Sequence, residues 1–204
     1  MENRKKSEFV LYYLRETDRE DVNSMSGIRT AREEEFDRVF SLMERSFPPD
    51  EYRGYDGQRA LLREPAYTIY VDPDEGDIPR GFVTVWQFDD FDFVEHLATE
   101  PSCRGQGRGS AILHELSGRL GCRIVLEVEL PETEIAARRI EFYRRNGFVT
   151  NDYPYIQPAY SVEKHALPLI LMTTDGPVSQ TEFRSIRDAL YRTVYRVKEE
   201  IKNA

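Results

Sequence analysis

A chain of 204 residues, 40% hydrophobic and 12% aromatic, is long enough for one domain with a full apolar core. Its formal charge of −9 argues against general nucleic-acid affinity and mildly favours a neutral or cationic partner. The two cysteines, Cys103 and Cys122, fall into no Cys-x-x-Cys or Cys/His ligand spacing, so neither a disulfide framework nor a metal site is expected, which suits a reducing cytoplasm.

Residues 1–26 form a charged leader around the apolar hexamer 9–14, which is too short and too aromatic for a signal peptide; an added edge strand and a tail both stay open. No run reaches membrane-spanning length. Gly27-Ile28-Arg29 reads as a short strand, and Thr30-x-x-Glu33 as a capping box. Phe36, Val39, Phe40, Met43 and Phe47 then recur at helical spacing until Pro48-Pro49 stops them. An acidic loop at 50–55 precedes a short second helix at 56–62. Residues 67–71 and 81–88, rich in aromatic and β-branched side chains, flank an Asp/Pro/Gly turn and form a hairpin, and a further strand runs over 91–98. Ile112, Leu113, Leu116 and Leu120 give a helix stopped by Gly121, followed by a strand at 123–130 and a helix at 134–146. One strand is expected from Phe148 through Tyr153, Tyr155 and Ile156, and a last buried one at 167–173. Ser179-x-x-Glu182 is a second capping box, opening a helix whose stripe of Ile186, Leu190, Val194 and Val197 needs a cover. A homodimer would supply one. The strand, turn, helix and strand around residue 105 make a right-handed crossover, so the central two strands are expected to be parallel.

The stretch 99–110 says most about chemistry. It places Gly105, Gly107 and Gly109, with Arg104 and Arg108, at the junction of a strand and a helix. Backbone N–H groups at the positive end of a helix, without Cβ atoms in the way, suit a polyanion such as a pyrophosphate. A P-loop would end Gly-Lys-Ser/Thr where this stretch ends Arg108-Gly109-Ser110, and a dinucleotide fingerprint counted from Gly105 fails at Ser110. An Arg-Gly tract for RNA is disfavoured, since there is one short copy inside an acidic, periodic domain.

The remaining pattern, Arg104-x-x-Gly107-x-Gly109 after a strand and before a helix, resembles the pyrophosphate-binding motif of the GNAT superfamily of acetyl-CoA-dependent N-acyltransferases. The element order is similar to that fold over residues 27–175, with the leader and a C-terminal helix at 178–204 outside it. A second similarity lies at 139–148, where Tyr143-x-x-x-Gly147-Phe148 matches the family's tyrosine segment, although the Asn-x-x-Ala of many members is replaced by Ala136 and Arg139. The resemblance implies an α/β (by some schemes α+β) domain, with a mixed sheet of six to seven strands, helices on both faces and a V-shaped splay between the central parallel strands. It implies acetyl-CoA as co-substrate and no metal. Arg104, Gly105, Gln106, Gly107, Arg108, Gly109 and Ser110 would hold the pyrophosphate, the backbone of Leu97, Ala98 and Thr99 the pantetheine arm, and Tyr143 would protonate the departing thiolate.

An amine attacks a thioester only as the free base, so a proton acceptor is needed. Strict alternation puts Phe93, Glu95, Leu97 and Thr99 on one strand face and Val94, His96 and Ala98 on the other. Glu95 is then a mid-strand carboxylate, either ion-paired or raised in pKa beside a cleft, and Glu127, which matches a Leu-Glu-Val glutamate of some members, is the other candidate. His96 reads as a satisfied core residue, and Tyr153, Tyr155 and Tyr160 as acceptor-side or packing aromatics. The expectation is a cytoplasmic N-acetyltransferase acting on a small-molecule or peptide amine, without nucleic-acid or membrane partners. A non-catalytic acyl-CoA sensor is the alternative.

Overall fold

The computed structural model describes residues 27–197; the leader at 1–26 lies outside the described residues. A two-residue strand β1 (Arg29–Thr30) leads through a 3-10 turn at Glu33–Glu35 into helix α1 (Phe36–Ser46). The cap sits two residues later than Thr30 and Glu33 suggest, because Thr30 is held in β1 opposite Tyr70, and it is Glu35 that accepts the Arg32 amide at 2.8 Å. Glu35 is buried and also takes the Arg29 and Arg32 guanidinium groups at 2.7 and 2.8 Å. The spacing of Phe36, Val39, Phe40 and Met43 puts all four on the buried face of α1, as the periodicity requires. Helix α2 (Tyr55–Ala60) is short and continues as a 3-10 turn through Arg63.

Strands β2 (Tyr67–Pro73) and β3 (Pro79–Gln87) form the expected hairpin, β4 (Phe91–Thr99) adds antiparallel to β3, and β5 (Arg123–Glu129) adds parallel to β4. Helix α3 (Arg108–Leu120) makes the crossover between them. Helix α4 (Glu134–Arg145) follows β5, and then come three strands, β6 (Val149–Thr150), β7 (Tyr155–Gln157) and β8 (Leu167–Thr173), before helix α5 (Gln180–Thr193). Among the described residues the sheet has eight strands rather than six or seven, in the order β1-β2-β3-β4-β5-β8-β6, with β7 also on β8. The extra strand arises because the single strand expected from residue 148 breaks in two. Pro154 has no N–H for a ladder, and Asn151 turns its side chain inward, donating to Leu171 O and Thr173 Oγ1 and accepting from Val178 N.

Helices cover both faces. One core joins α1, α5 and residues such as Trp86, Phe93 and Leu171; the other joins α3, α4 and Val85, Val94, Leu126 and Met172. The stripe of α5 finds its cover within the chain: Ile186, Leu190 and Val194 are buried in the first core, while Val197 is exposed. Ser179 caps this helix as its sequence predicts, with Glu182 completing the box.

The register of β3 on β4 slips between Thr84–His96 and Val85–Val94, which leaves Glu95 in a bulge without an opposite residue. The bulge overturns strict alternation along β4. Leu97 packs with the core of Val94 and Ala98 with that of Phe93, the reverse of the uninterrupted pattern. Glu95 is buried to 1% of its side chain and accepts from Arg53 at 2.7 Å, Trp86 Nε1 at 2.9 Å and Tyr160 Oη at 2.9 Å. Arg53, in the loop before α2, also donates to Val194 O at the end of α5 (2.7 Å) and lies 4.4 Å from the centre of the Tyr160 ring. Replacing Arg53 by Met should therefore cost about 3–5 kcal/mol in denaturant titration, because it strands a buried carboxylate, and adding Glu95→Gln should recover most of the loss. A loss below about 1 kcal/mol would show that the pair does not pin the bulge.

Candidate active site

The ladder between β4 and β5 runs from Phe91 opposite Arg123 to Val94 opposite Leu126 and stops there. The bulge at Glu95 bends β4 away from that point on, while β5 continues on β8 through Glu129. Among the described residues, the edge of β4 that faces β5 over 95–99 thus has no strand partner. A cleft of about 700 Å³ fills the gap, lined by 94–99 of β4, 126–129 of β5, the glycine turn, and Tyr143, Phe142 and Arg139 of α4. The splay expected of a GNAT domain is present, and its walls carry Leu97, Ala98 and Thr99.

At one end of the cleft the chain leaves β4 through a 3-10 turn at Pro101–Cys103 and enters α3. Gly107 is the residue before the helix, with φ at +77°, a left-handed conformation that a Cβ would strain. Having no side chain, it cannot cap α3, and the first N–H groups of the helix, those of Arg108, Gly109 and Ser110, have no partner inside it. A Cβ built on Gly105 or Gly107 meets no atom within 4 Å, so the space over the turn is open. At Gly109 the same atom would come within 3.2 Å of the Phe142 ring, so this glycine lets α3 close on α4. These features fit a pyrophosphate over the turn. Arg104 is exposed beside it. Arg108 is not: its guanidinium turns away to the buried Asp72 at 2.6 Å and to Pro73 O, tying the turn to β2 and leaving only its backbone amide toward the cleft. Gln106 closes the loop by donating to Ser102 O.

At the other end, carboxylates gather. Burial drives the Glu95 pKa upward, but the Arg53 guanidinium and the Trp86 N–H together hold it below the ordinary carboxylate value, so it stays ionised. Glu127 is different. It stands in the cleft wall, accepts from the hydroxyls of Tyr155 and, at 2.6 Å, Tyr195, and has no cation against it among the described residues; burial, aided by the charges of Glu95 and Glu51, lifts its pKa to about 7. Glu51, just before Arg53, is raised to about 7 as well, by burial and then by Glu129, which itself pairs with Arg139. His96 is a satisfied core residue, as its sequence suggests. Its Nε2 donates to Glu51 O at 2.8 Å, its Nδ1 lies 3.2 Å from Thr84 Oγ1, and burial keeps the ring neutral.

Tyr143 enters the cleft from the opposite face of the sheet. It belongs to the core of α3 and α4, in edge contact with Phe142 and Phe148, and burial raises its phenol to about 12. Of the tyrosines expected near the acceptor, Tyr155 and Tyr160 reach the two glutamates, whereas Tyr153 bonds Val178 O and packs on Phe183. Arg53, Glu51 and Tyr195 were not marked by any sequence motif. Arg53 and Glu51 lie in the acidic loop at 50–55, which carries no motif, and Tyr195 lies between Val194 and Val197 of the α5 stripe but off its spacing.

The chain matches the profile of the acetyltransferase (GNAT) domain over residues 64–150. A GNAT-family protein from Bacteroides thetaiotaomicron, assigned as an acetyltransferase, is 36% identical and superposes with a TM-score of 0.78 over 85% of this chain and 100% of its own. A ribosomal-protein-alanine N-acetyltransferase from Escherichia coli gives 0.55 at 19% identity, over 74% of this chain and 94% of its own. An aminoglycoside 6'-N-acetyltransferase complexed with coenzyme A gives 0.53 at 17%, over 73% and 96%. No curated protein matches the sequence. The splayed parallel strands, the glycine turn opening α3 and the first of these relatives agree, and the chain belongs to the GNAT family of acetyltransferases.

Proposed function

We propose that this protein transfers the acetyl group of acetyl-CoA to a primary amine by direct attack, with Glu127 as the base and Tyr143 as the donor to the departing sulfur. The observation that carries this reading is that Glu127 and Tyr143 line one cleft from opposite faces of the sheet, at the point where β4 and β5 part. Acetyl-CoA bound there supplies the thioester carbonyl for the amine. The amides of the glycine turn, with Arg104, would hold its pyrophosphate, and the unpartnered backbone of 97–99 its amide-bearing arm.

An alkylammonium must lose a proton before it can attack. A carboxylate with a pKa of about 7 is a far better acceptor at neutral pH than one at the usual 4.5, and Glu127 can take the proton directly or through one water. Glu95, locked to Arg53, holds the bulge instead. Acids at Glu51 and Glu127 make the acceptor end attractive to a cation, in keeping with a small-molecule or peptide amine. The phenol of Tyr143, at about 12, stays protonated throughout the working range. A thiol near 8.5 is the stronger acid, so Tyr143 keeps its proton and acts by donating a hydrogen bond to the developing thiolate, which leaves as the anion or takes its proton from solvent on release. A cytoplasmic setting suits the two free thiols, Cys103 and Cys122.

Release of CoA thiol in the presence of a panel of primary amines tests the reading against a binding-only sensor, which would bind acetyl-CoA without turnover. Tyr143→Phe should keep the KM for acetyl-CoA within a few fold and lower kcat by about 10²-fold; unchanged turnover would remove Tyr143 from the chemistry. Gly107→Glu should abolish acetyl-CoA binding in calorimetry by placing a negative charge where the pyrophosphate sits, whereas Gly107→Ala, with the same backbone strain and no charge, should bind measurably. Equal affinity in the glutamate variant and the wild type would refute the cradle.

A further inference from the structure

We infer that the C-terminal helix completes the active site, and that Tyr195, which follows it, is a positioning residue for Glu127. This rests on Glu127 being the base. Tyr195 lies outside the matched family profile, two residues past the end of α5, yet its hydroxyl reaches Glu127 Oε2 at 2.6 Å. The other carboxylate oxygen, Oε1, accepts from Tyr155 of β7. The two phenols come from separate elements and take one oxygen each, so together they fix the plane of the carboxylate and leave each oxygen a lone pair for the cleft. Tyr195 is itself held. The Val194 N–H bonds Leu190 O, Arg53 takes Val194 O at 2.7 Å, and the Tyr195 ring packs on Tyr160 and Tyr191. The buried pair that pins the β4 bulge thus also seats the residue that orients the neighbouring carboxylate.

The contact has a direction. The phenol, pushed well above its ordinary pKa by burial and then by Glu127, keeps its proton, and an ionised carboxylate can only accept, so the contact favours the ionised Glu127. The groups facing Glu127 are the ionised Glu95 on β4, neutralised by Arg53, the raised Glu51, and the phenols of Tyr155, Tyr160, Tyr191 and Tyr195. The acids push its pKa up and the two donating phenols pull it down. Removing one donor must raise the pH at which Glu127 becomes a base.

Tyr195→Phe keeps the ring and its packing and removes only the donor. The acidic limb of the kcat/KM profile should move up by about one pH unit, which is about a tenfold loss of activity on the acid side and little loss above pH 9. Tyr155→Phe should act in the same direction, and both should leave the KM for acetyl-CoA and the melting temperature near wild type. A second readout needs no substrate: the carboxyl resonance of Glu127 in 13C-glutamate-labelled protein, assigned by its absence in Glu127→Gln, should titrate higher in Tyr195→Phe by the same interval. If Glu127→Gln abolishes the limb but Tyr195→Phe leaves limb and resonance in place, Tyr195 is packing alone and the inference falls while the base assignment stands. If Glu127→Gln keeps the limb, both fall.

Discussion

Burying Glu95 strips a carboxylate of its hydration, and Arg53 offsets that cost from a different part of the chain. The guanidinium does more than pair. It reaches the carbonyl of Val194, the residue that follows α5, lies over Tyr160 and sits 5.8 Å from the Trp86 ring centre, so one buried charge links the loop before α2, strands β3 and β4, the segment before β8 and the end of the C-terminal helix. Without it Glu95 would have to be neutral or exposed, and the extra residue in β4 would have no reason to stay in the sheet. The bulge in turn ends the pairing of β4 with β5, which opens the cleft.

A gap in a sheet that is covered on both faces gives access from both. Phe93 and Val125 belong to the core under α1 and α5, while Val94 and Leu126 belong to the core under α3 and α4. Where these strands part, Glu127 and Glu51 arrive from the first side and Tyr143 and the α3 N-terminus from the second. The two ends differ electrostatically for structural reasons. Uncapped amides favour an anion at one end, and buried carboxyls with raised pKa values favour a protonated amine at the other. An acyl donor bearing a pyrophosphate and an acceptor bearing a positive charge would therefore approach from opposite faces and meet in the gap.

What was legible in the sequence follows from range. Helix α1, the hairpin, the parallel crossover and the start of α5 were readable because periodicity and caps act within a few residues, whereas the end of α5 at Thr193 falls short of the stripe that runs to Val197. The glycine turn was readable for the same reason, since the backbone conformation at Gly107 is a local demand. The partners of Glu95 and Glu127 were not. Arg53 is 42 residues from Glu95 and Tyr195 is 68 from Glu127, and no local pattern encodes such pairs. The bulge was missed because an inserted residue leaves the apolar composition of a strand unchanged and only shifts its phase, which becomes visible once Thr84 is seen opposite His96. Arg108 reads as a phosphate ligand until Asp72, on another strand, is seen to hold it.

The claim that the splay and the glycine turn together form an acetyl-CoA site can be tested without knowing the acceptor. Titration of acetyl-CoA into 15N-labelled protein should give saturable amide shifts concentrated at residues 105–110 and 97–99, with smaller ones at Tyr143 and Glu127 and little change on β1, β2 or the outer face of α5. Saturable shifts confined to another surface, or no binding at millimolar acetyl-CoA, would contradict the account.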